Sequence, residues 1–205
     1  MHDFLSGVDP RQFGEVDGGL RMSEDEEIKE IIAKADGTYM KAPNGKPTNL
    51  NDRQWAQVRT KAFKKWSGDW EMFFKKNFLL SGESVSLLGG YEFAKVEGKT
   101  LQEQVSDFYD TFGNKAVSPI YGDVVLDKRG IDDSYAHGIG RNKAIACAAV
   151  KDVIEKGIVI DYHTNHKGRG YNTAIIAAPI QINGERYICQ VVIRQNTNGN
   201  RFYLT

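Results

Sequence analysis

The chain has 205 residues, with 27 Lys plus Arg against 27 Asp plus Glu, 40% hydrophobic and 26% charged residues. That length supports one or two domains whose core needs no disulfide or metal to hold it, and the balanced charge excludes a polyelectrolyte tail. No apolar run approaches the ~20 residues that span a bilayer. The opening Met1-His2-Asp3-Phe4-Leu5-Ser6-Gly7 lacks the basic-then-apolar order of a secretory signal, so no membrane partner is expected.

Residues 1–22 show no periodicity and read as a loose leader. Ser23-Glu24-Asp25-Glu26 is a capping box that opens a helix with Ile28, Ile31, Ile32 and Ala35 on one face. After the Pro43-to-Pro47 turn, Asn51 caps a second helix carrying Trp55, Val58, Ala62 and Trp66. The aromatics Trp55, Trp66, Trp70, Phe73, Phe74 and Phe78 have helix-like spacing and are expected in a core. Thr100-Leu101-Gln102-Glu103 caps a third helix with Leu101, Val105, Phe108 and Phe112 on one face, closed by Gly113.

From Val117 the pattern changes. A helical region starts at Ser134, is interrupted by Gly138 and Gly140, and resumes with Ile145, Ala149, Val153 and Ile154 facing inward until Gly157. Ile158–Ile160 reads as a short strand. Residues 174–182 and 186–194 read as two strands joined by Asn183-Gly184, a strong hairpin signal, and 201–204 as a fourth. The expected class is α+β: a leader (1–22), a mostly helical region (23–116), and a domain (117–205) of one or two helices on a four-stranded antiparallel sheet. Cys147 and Cys189 lie in apolar-patterned segments and read as buried, reduced thiols. Residues 126–205 carry 11 Lys/Arg against 7 Asp/Glu and three of the four histidines, a mild hint of a polyanion-facing module.

The phosphate-binding Gly-x-x-x-x-Gly-Lys, the dinucleotide fingerprint and the Gly-x-Ser-x-Gly elbow are all absent. His163 and His166 lie three apart on a Gly-rich loop, where that spacing fixes no metal geometry, so no metal is expected. Within Ser134–Lys143, His137, Arg141 and Lys143 place an imidazole and two cations beside glycines that let a ligand approach the backbone. The bland reading of these residues is a helix-start histidine and two solvated cations. Loop 162–173 combines Tyr162 and Tyr171 with His163, His166, Lys167, Arg169, Asn172 and Thr173. Rings that stack on bases and cations that meet phosphates suit unpaired nucleotides, and the same composition suits a wet hairpin loop. Arg194, Arg201 and Tyr203 fall near the ends of the last two strands, and their register is not readable from sequence.

The run Asp127–Gly138, the helix ending Val-Ile-Glu-Lys-Gly157, then Ala178-Pro179-Ile-Gln-Ile-Asn-Gly184-Glu-Arg-Tyr187 and Arg201-Phe-Tyr-Leu204 resemble a C-terminal domain of phage and mobile-element proteins. That domain belongs to the barnase/EndoU/colicin/RelE-like (BECR) nuclease group found in large polyvalent proteins and MuF-type phage toxins. Val58-Arg-Thr-Lys-Ala-Phe-Lys-Lys-Trp66-Ser-Gly-Asp-Trp70 also resembles the "RTxxFKxWFGDW" segment that precedes effector domains in such proteins, departing from it at Ser67.

The resemblance implies a phage-encoded, toxin-like endoribonuclease that needs no metal or cofactor, in which a ribose 2′-hydroxyl attacks the adjacent phosphate. His137 is then general base or acid, Lys143 stabilises phosphate charge, and Thr173, Arg194 and Tyr203 line the sheet face. Arg141, His163, His166, Lys167, Arg169, Tyr171 and Asn172 would contact RNA. Implied partners are RNA, an immunity or inhibitor protein and phage virion proteins. The implied setting is the bacterial cytoplasm, reached in a phage particle. Ending straight after a strand, the chain reads as a piece of a longer polypeptide. Two rivals are an ADP-ribosyltransferase-associated effector, which lacks its Arg…Ser-Thr-Ser…Glu-x-Glu pattern here, and a non-catalytic module that binds a host or virion protein.

Overall fold

The computed structural model describes residues 24–35, 38–43, 45–136, 138, 140–196 and 199–204. The expected leader, the Ser23 cap and His137 lie outside them. The chain divides into two compact units, Met1–Met40 with Thr48–Trp70, and Lys41–Pro47 with Glu71–Thr205.

In the first unit, helix α1 (Glu24–Ala33) lies with α2 (Asp52–Gln57) and α3 (Lys61–Ser67). Asn51 caps α2 through a reciprocal box with Gln54. The expected single helix through Trp66 breaks into two, because the Thr60 side chain accepts from Phe63 N–H and starts a new helix. Trp55 is 1% exposed among Ile28, Ala35 and Ala56, with the Arg59 guanidinium 3.9 Å over its ring.

The second unit holds the sheet. The expected four-stranded antiparallel sheet is not what forms: seven strands make one mixed sheet. They are β1 (Leu87–Leu88), β2 (Lys115–Ser118), β3 (Gly122–Val125), β4 (Ile158–His163), β5 (Asn172–Ile182), β6 (Glu185–Asn196) and β7 (Gly199–Leu204). The order is β1-β5-β6-β7-β3-β2, with β4 also paired to β5. Strands β4 to β7 run antiparallel in succession, but β3 joins β7 in parallel and β1 joins β5 in parallel. Both parallel contacts are non-local, and β1 is two residues long, too short to show alternation.

Four helices of this unit frame the sheet: α5 (Leu101–Asp110), α6 (Lys128–Ala136), α7 (Arg141–Ala146) and α8 (Val150–Lys156). Helix α5 carries the full Thr100/Glu103 capping box. Helix α8 packs on β2, β5 and β6, and α6 packs on β7. The core joins Val105, Tyr109, Ile131, Val150, Val153 and Ile154 to the inward residues Ile176, Ile193, Phe202 and Leu204. Cys147 and Cys189 are free and buried, and burial pushes both thiols up to about 12.

The aromatic run 66–78 departs from expectation. Helix α4 (Trp70–Ser81) has no fully buried residue, and Phe73 and Trp66 are 74% and 51% exposed. Regular spacing forms the helix but does not decide whether another element covers it.

Helix α6 is locked to β7 by one hydroxyl. Buried Ser134 donates from Oγ to Gly130 O (2.6 Å) and accepts from Leu204 N–H (2.8 Å). Ser134→Ala leaves that amide without its acceptor, and urea denaturation should read a loss of about 1–3 kcal/mol.

Candidate functional site

One transverse row crosses four strands. His163 pairs with Thr173, Thr173 with Arg194, and Arg194 with Arg201. Residues directly opposite in antiparallel strands point to the same face, so the row is one-sided. Two residues along, Asp161, Ile175, Val192 and Tyr203 form the next row on that face.

A bulge between Val159 and Asp161 puts His163 there. Ahead of it, Val159 sits opposite Ile176 with its side chain toward the helices; beyond it, Tyr162 sits opposite Ala174 on that inner face, and His163 turns outward. In a strand of the same length without the bulge, the parity beyond Val159 would reverse, sending His163 and Asp161 inward.

The loop after β4 folds back onto the same face. Asn165 organises it: its N–H donates to Asn172 Oδ1 (3.0 Å), and its Oδ1 accepts from Gly170 N–H (2.8 Å). His166 N–H donates to Tyr171 O (2.7 Å). Asn165 and Lys167 both take left-handed backbone (φ 45° and 50°), which only a closed turn holds for such residues. The loop is exposed yet internally braced.

These contacts fuse loop and sheet into one cluster. His166 stacks on Tyr171, with ring centroids 5.9 Å apart, and lies 5.9 Å from His163. The Arg194 guanidinium lies 4.8 Å from the Tyr171 ring and 5.6 Å from the Tyr203 ring. Thr173 Oγ1 is 3.2 Å from His166 Nδ1. When that hydroxyl accepts from Nδ1–H, Nε2 carries the free lone pair. Burial, then the charges of Lys167, His163, Arg169 and Arg194, hold His166 below the ordinary imidazole value of 6.5. Burial raises the Tyr203 phenol above its ordinary 10.0, which keeps it protonated. His163 Nε2 lies 3.0 Å from Asp161 Oδ2.

Beside the cluster is a cleft of about 280 Å³, lined by Arg129, Asp132, Asp133, Arg194, Asn196, Arg201 and Tyr203 among others. Arg194 Nη2 meets Asp133 Oδ2 at 3.3 Å, and Arg201 Nη1 meets Asp127 Oδ2 at 3.2 Å. Arg194 Nε is buried without a hydrogen-bond partner.

Of the sequence-predicted residues, the structure thus brings together Thr173, Arg194, Tyr203, His163, His166 and Tyr171. Asn172 braces the loop from below, Arg169 reaches the Tyr171 hydroxyl at 3.5 Å, and Lys167 sits in the exposed turn.

It does not bring Arg141 or Lys143 to the cluster. Arg141 donates to the carbonyls of Phe93 and Gly90, and its neighbour Asn142 donates to Tyr187 OH. Tyr187 lies seven residues before Arg194 on β6, about 23 Å along the strand. Lys143 donates to Gly138 O (3.0 Å), and burial lowers its pKa. Sequence reasoning missed Asp127 and Asp133. Their signal was their place on either side of Arg129, at the cap of one short helix and within it, but only the packing of that helix against β6 and β7 shows which arginines they meet.

Among the described residues no three His, Cys, Asp or Glu side chains converge as a metal site, and no helix is long and apolar enough to cross a membrane. No curated protein and no solved structure matches the chain. A family model does match, over residues 97–203, which take in most of the second unit, all of α5 to α8 and the whole clustered face. The chain belongs to the family described as large polyvalent protein-associated domain 3.

Proposed function

We propose that this face binds single-stranded RNA and cleaves it without a metal. One observation carries the reading: an imidazole with lowered proton affinity, two tyrosine rings and an arginine with a buried, unpaired Nε form one continuous cluster. Rings offer stacking surfaces for unpaired bases, and guanidinium forks suit phosphate.

In this reading His166 Nε2 takes the proton of a ribose 2′-hydroxyl, with Thr173 fixing the tautomer. The 2′-oxygen attacks phosphorus, the bond to the 5′-oxygen breaks, and that oxygen takes a proton from His163. A 2′,3′-cyclic phosphate and a 5′-hydroxyl result. Arg194 and the Tyr203 hydroxyl face the charge that develops on the phosphorane. The nuclease resemblance of the 127–204 motifs supports the reading from the sequence side; that resemblance implies His137, which lies outside the described residues, whereas the reading assigns the base to His166.

The toxin-like setting completes the proposal: a phage-encoded protein that acts in the bacterial cytoplasm, restrained by an immunity or inhibitor protein and carried with virion proteins. The polyvalent-protein family is consistent with this setting.

Purified protein incubated with RNA in excess EDTA should give fragments that end in 2′,3′-cyclic phosphate. Intact RNA would remove the enzymatic reading and leave a binding module, the sequence-based rival. His137→Ala on the same assay tests the sequence-based assignment directly.

A further inference from the structure

The cleft beside the cluster carries an arrangement that folding alone does not favour. Arg194 and Arg201 are directly opposite each other on neighbouring strands, and like charges in that position repel. Each is offset by a single carboxylate from one short stretch, Asp133 for Arg194 and Asp127 for Arg201. Both pairs are partly exposed, at 33%/45% and 34%/28% of the side-chain surfaces, and pairs so exposed are weak. Arg194 meets its partner through Nη2, and its buried Nε has no acceptor. A guanidinium is satisfied better by a group that presents two oxygens to one edge, as a phosphodiester does.

We propose that the cleft is the phosphate-backbone subsite for a nucleic-acid strand, and that Asp133 and Asp127 hold its two arginines in the places that phosphate oxygens take when a strand enters. The inference rests on the nucleic-acid reading of the neighbouring cluster but not on cleavage. The two carboxylates act as internal phosphate mimics. They keep the arginines extended and aimed while the site is empty, and they set a threshold that weak anions do not cross. Asp132 lines the same cleft but holds neither arginine.

The test uses the full chain and a fluorescently labelled 2′-O-methyl-uridine oligomer, which lacks the attacking hydroxyl and therefore reports binding alone. Anisotropy titrations across a salt series give affinity and salt slope. Asp133→Asn should tighten binding by about tenfold at low salt, the ratio expected for one released charge-assisted contact. It should also steepen the log–log salt slope by about 0.7, the increment for one more phosphate neutralised on a single strand.

Asp132→Asn removes the same charge from the same cleft and should change both quantities much less. Asp127→Asn should reproduce the steeper slope. It keeps a good helix cap at the position whose Oδ1 accepts from Gly130 N–H at 3.1 Å. It is the second readout if Asp133→Asn loses its cooperative unfolding transition.

Equal tightening by Asp132→Asn would reduce the effect to bulk charge and overturn the proposal. So would unchanged affinity in the folded Asp133 and Asp127 variants. Tighter binding by those variants with no RNA cleavage by the wild type would uphold the subsite and discard the ribonuclease. No binding by any form would discard both.

Discussion

If the proposed ribonuclease reading holds, replacing His166 by alanine should lower RNA cleavage by about 10²–10⁴-fold, the usual cost of deleting a general base, and should keep a cooperative unfolding transition. The residue is singled out by three contacts: Thr173 Oγ1 at Nδ1, the Tyr171 ring against its face, and His163 alongside. Its pH signature follows from the same surroundings. Burial and four neighbouring basic groups disfavour the imidazolium, so the free base persists below the ordinary value of 6.5. The acid limb of the wild-type pH–rate profile should therefore lie below 6.5. As pH falls through that lowered pKa, protonation removes the base and the rate drops. A His166→Ala variant as fast as the wild type, or an acid limb above 6.5, would transfer the chemistry elsewhere.

Phe202→Ala should cost about 3–5 kcal/mol in urea denaturation, as large-to-small changes at sealed aromatic positions do. Phe202 is 1% exposed on β7, meets the Tyr109 ring edge-on at 5.6 Å, and receives α6 directly against its backbone and ring. The approach is so close that a Cβ on Gly130 would come within 2.5 Å of Phe202 O and 2.6 Å of its Cε1, which explains why a glycine stands there. Removing the ring opens a cavity between α5, α6 and the sheet that small neighbours such as Gly130 cannot fill. Because α6 also carries Asp133, the variant should weaken the seating of the cleft as well as the core. A loss below about 1 kcal/mol would mean that the helix collapses into the space at little cost.

Local chemistry was legible and long-range pairing was not. The Thr100/Glu103 box and the Asn183-Gly184 turn announce themselves because their determinants are neighbours in sequence; both turn residues take positive φ, 49° and 84°. The same hairpin makes Thr173 and Arg194 opposite each other, a register that was not read from the sequence. By contrast, β3 finds β7 across some 75 residues of intervening chain, and two-residue β1 leaves no pattern at all. Helical spacing could not warn that Phe73 stays exposed, since periodicity records which residues share a side and not what lies opposite. On the candidate site, the loop's composition pointed to stacking rings and cations. The partnership of Arg194 with Asp133 and the separation of Lys143 from the loop depend on which helix lies on which strand, and no local signal encodes that.

The irregularity in β4 has a consequence for how this scaffold diversifies. Because one surplus residue decides which way the rest of that strand points, straightening the strand at unchanged length would exchange two whole sets of side chains without changing the identity of any. A descendant could in this way retract the His163 imidazole and push Tyr162 into water in one step, keeping the architecture while dismantling the clustered face. Whether this spot is bulged or straight, more than amino-acid type, is therefore the character to compare when versions of the domain with and without the clustered face are sorted.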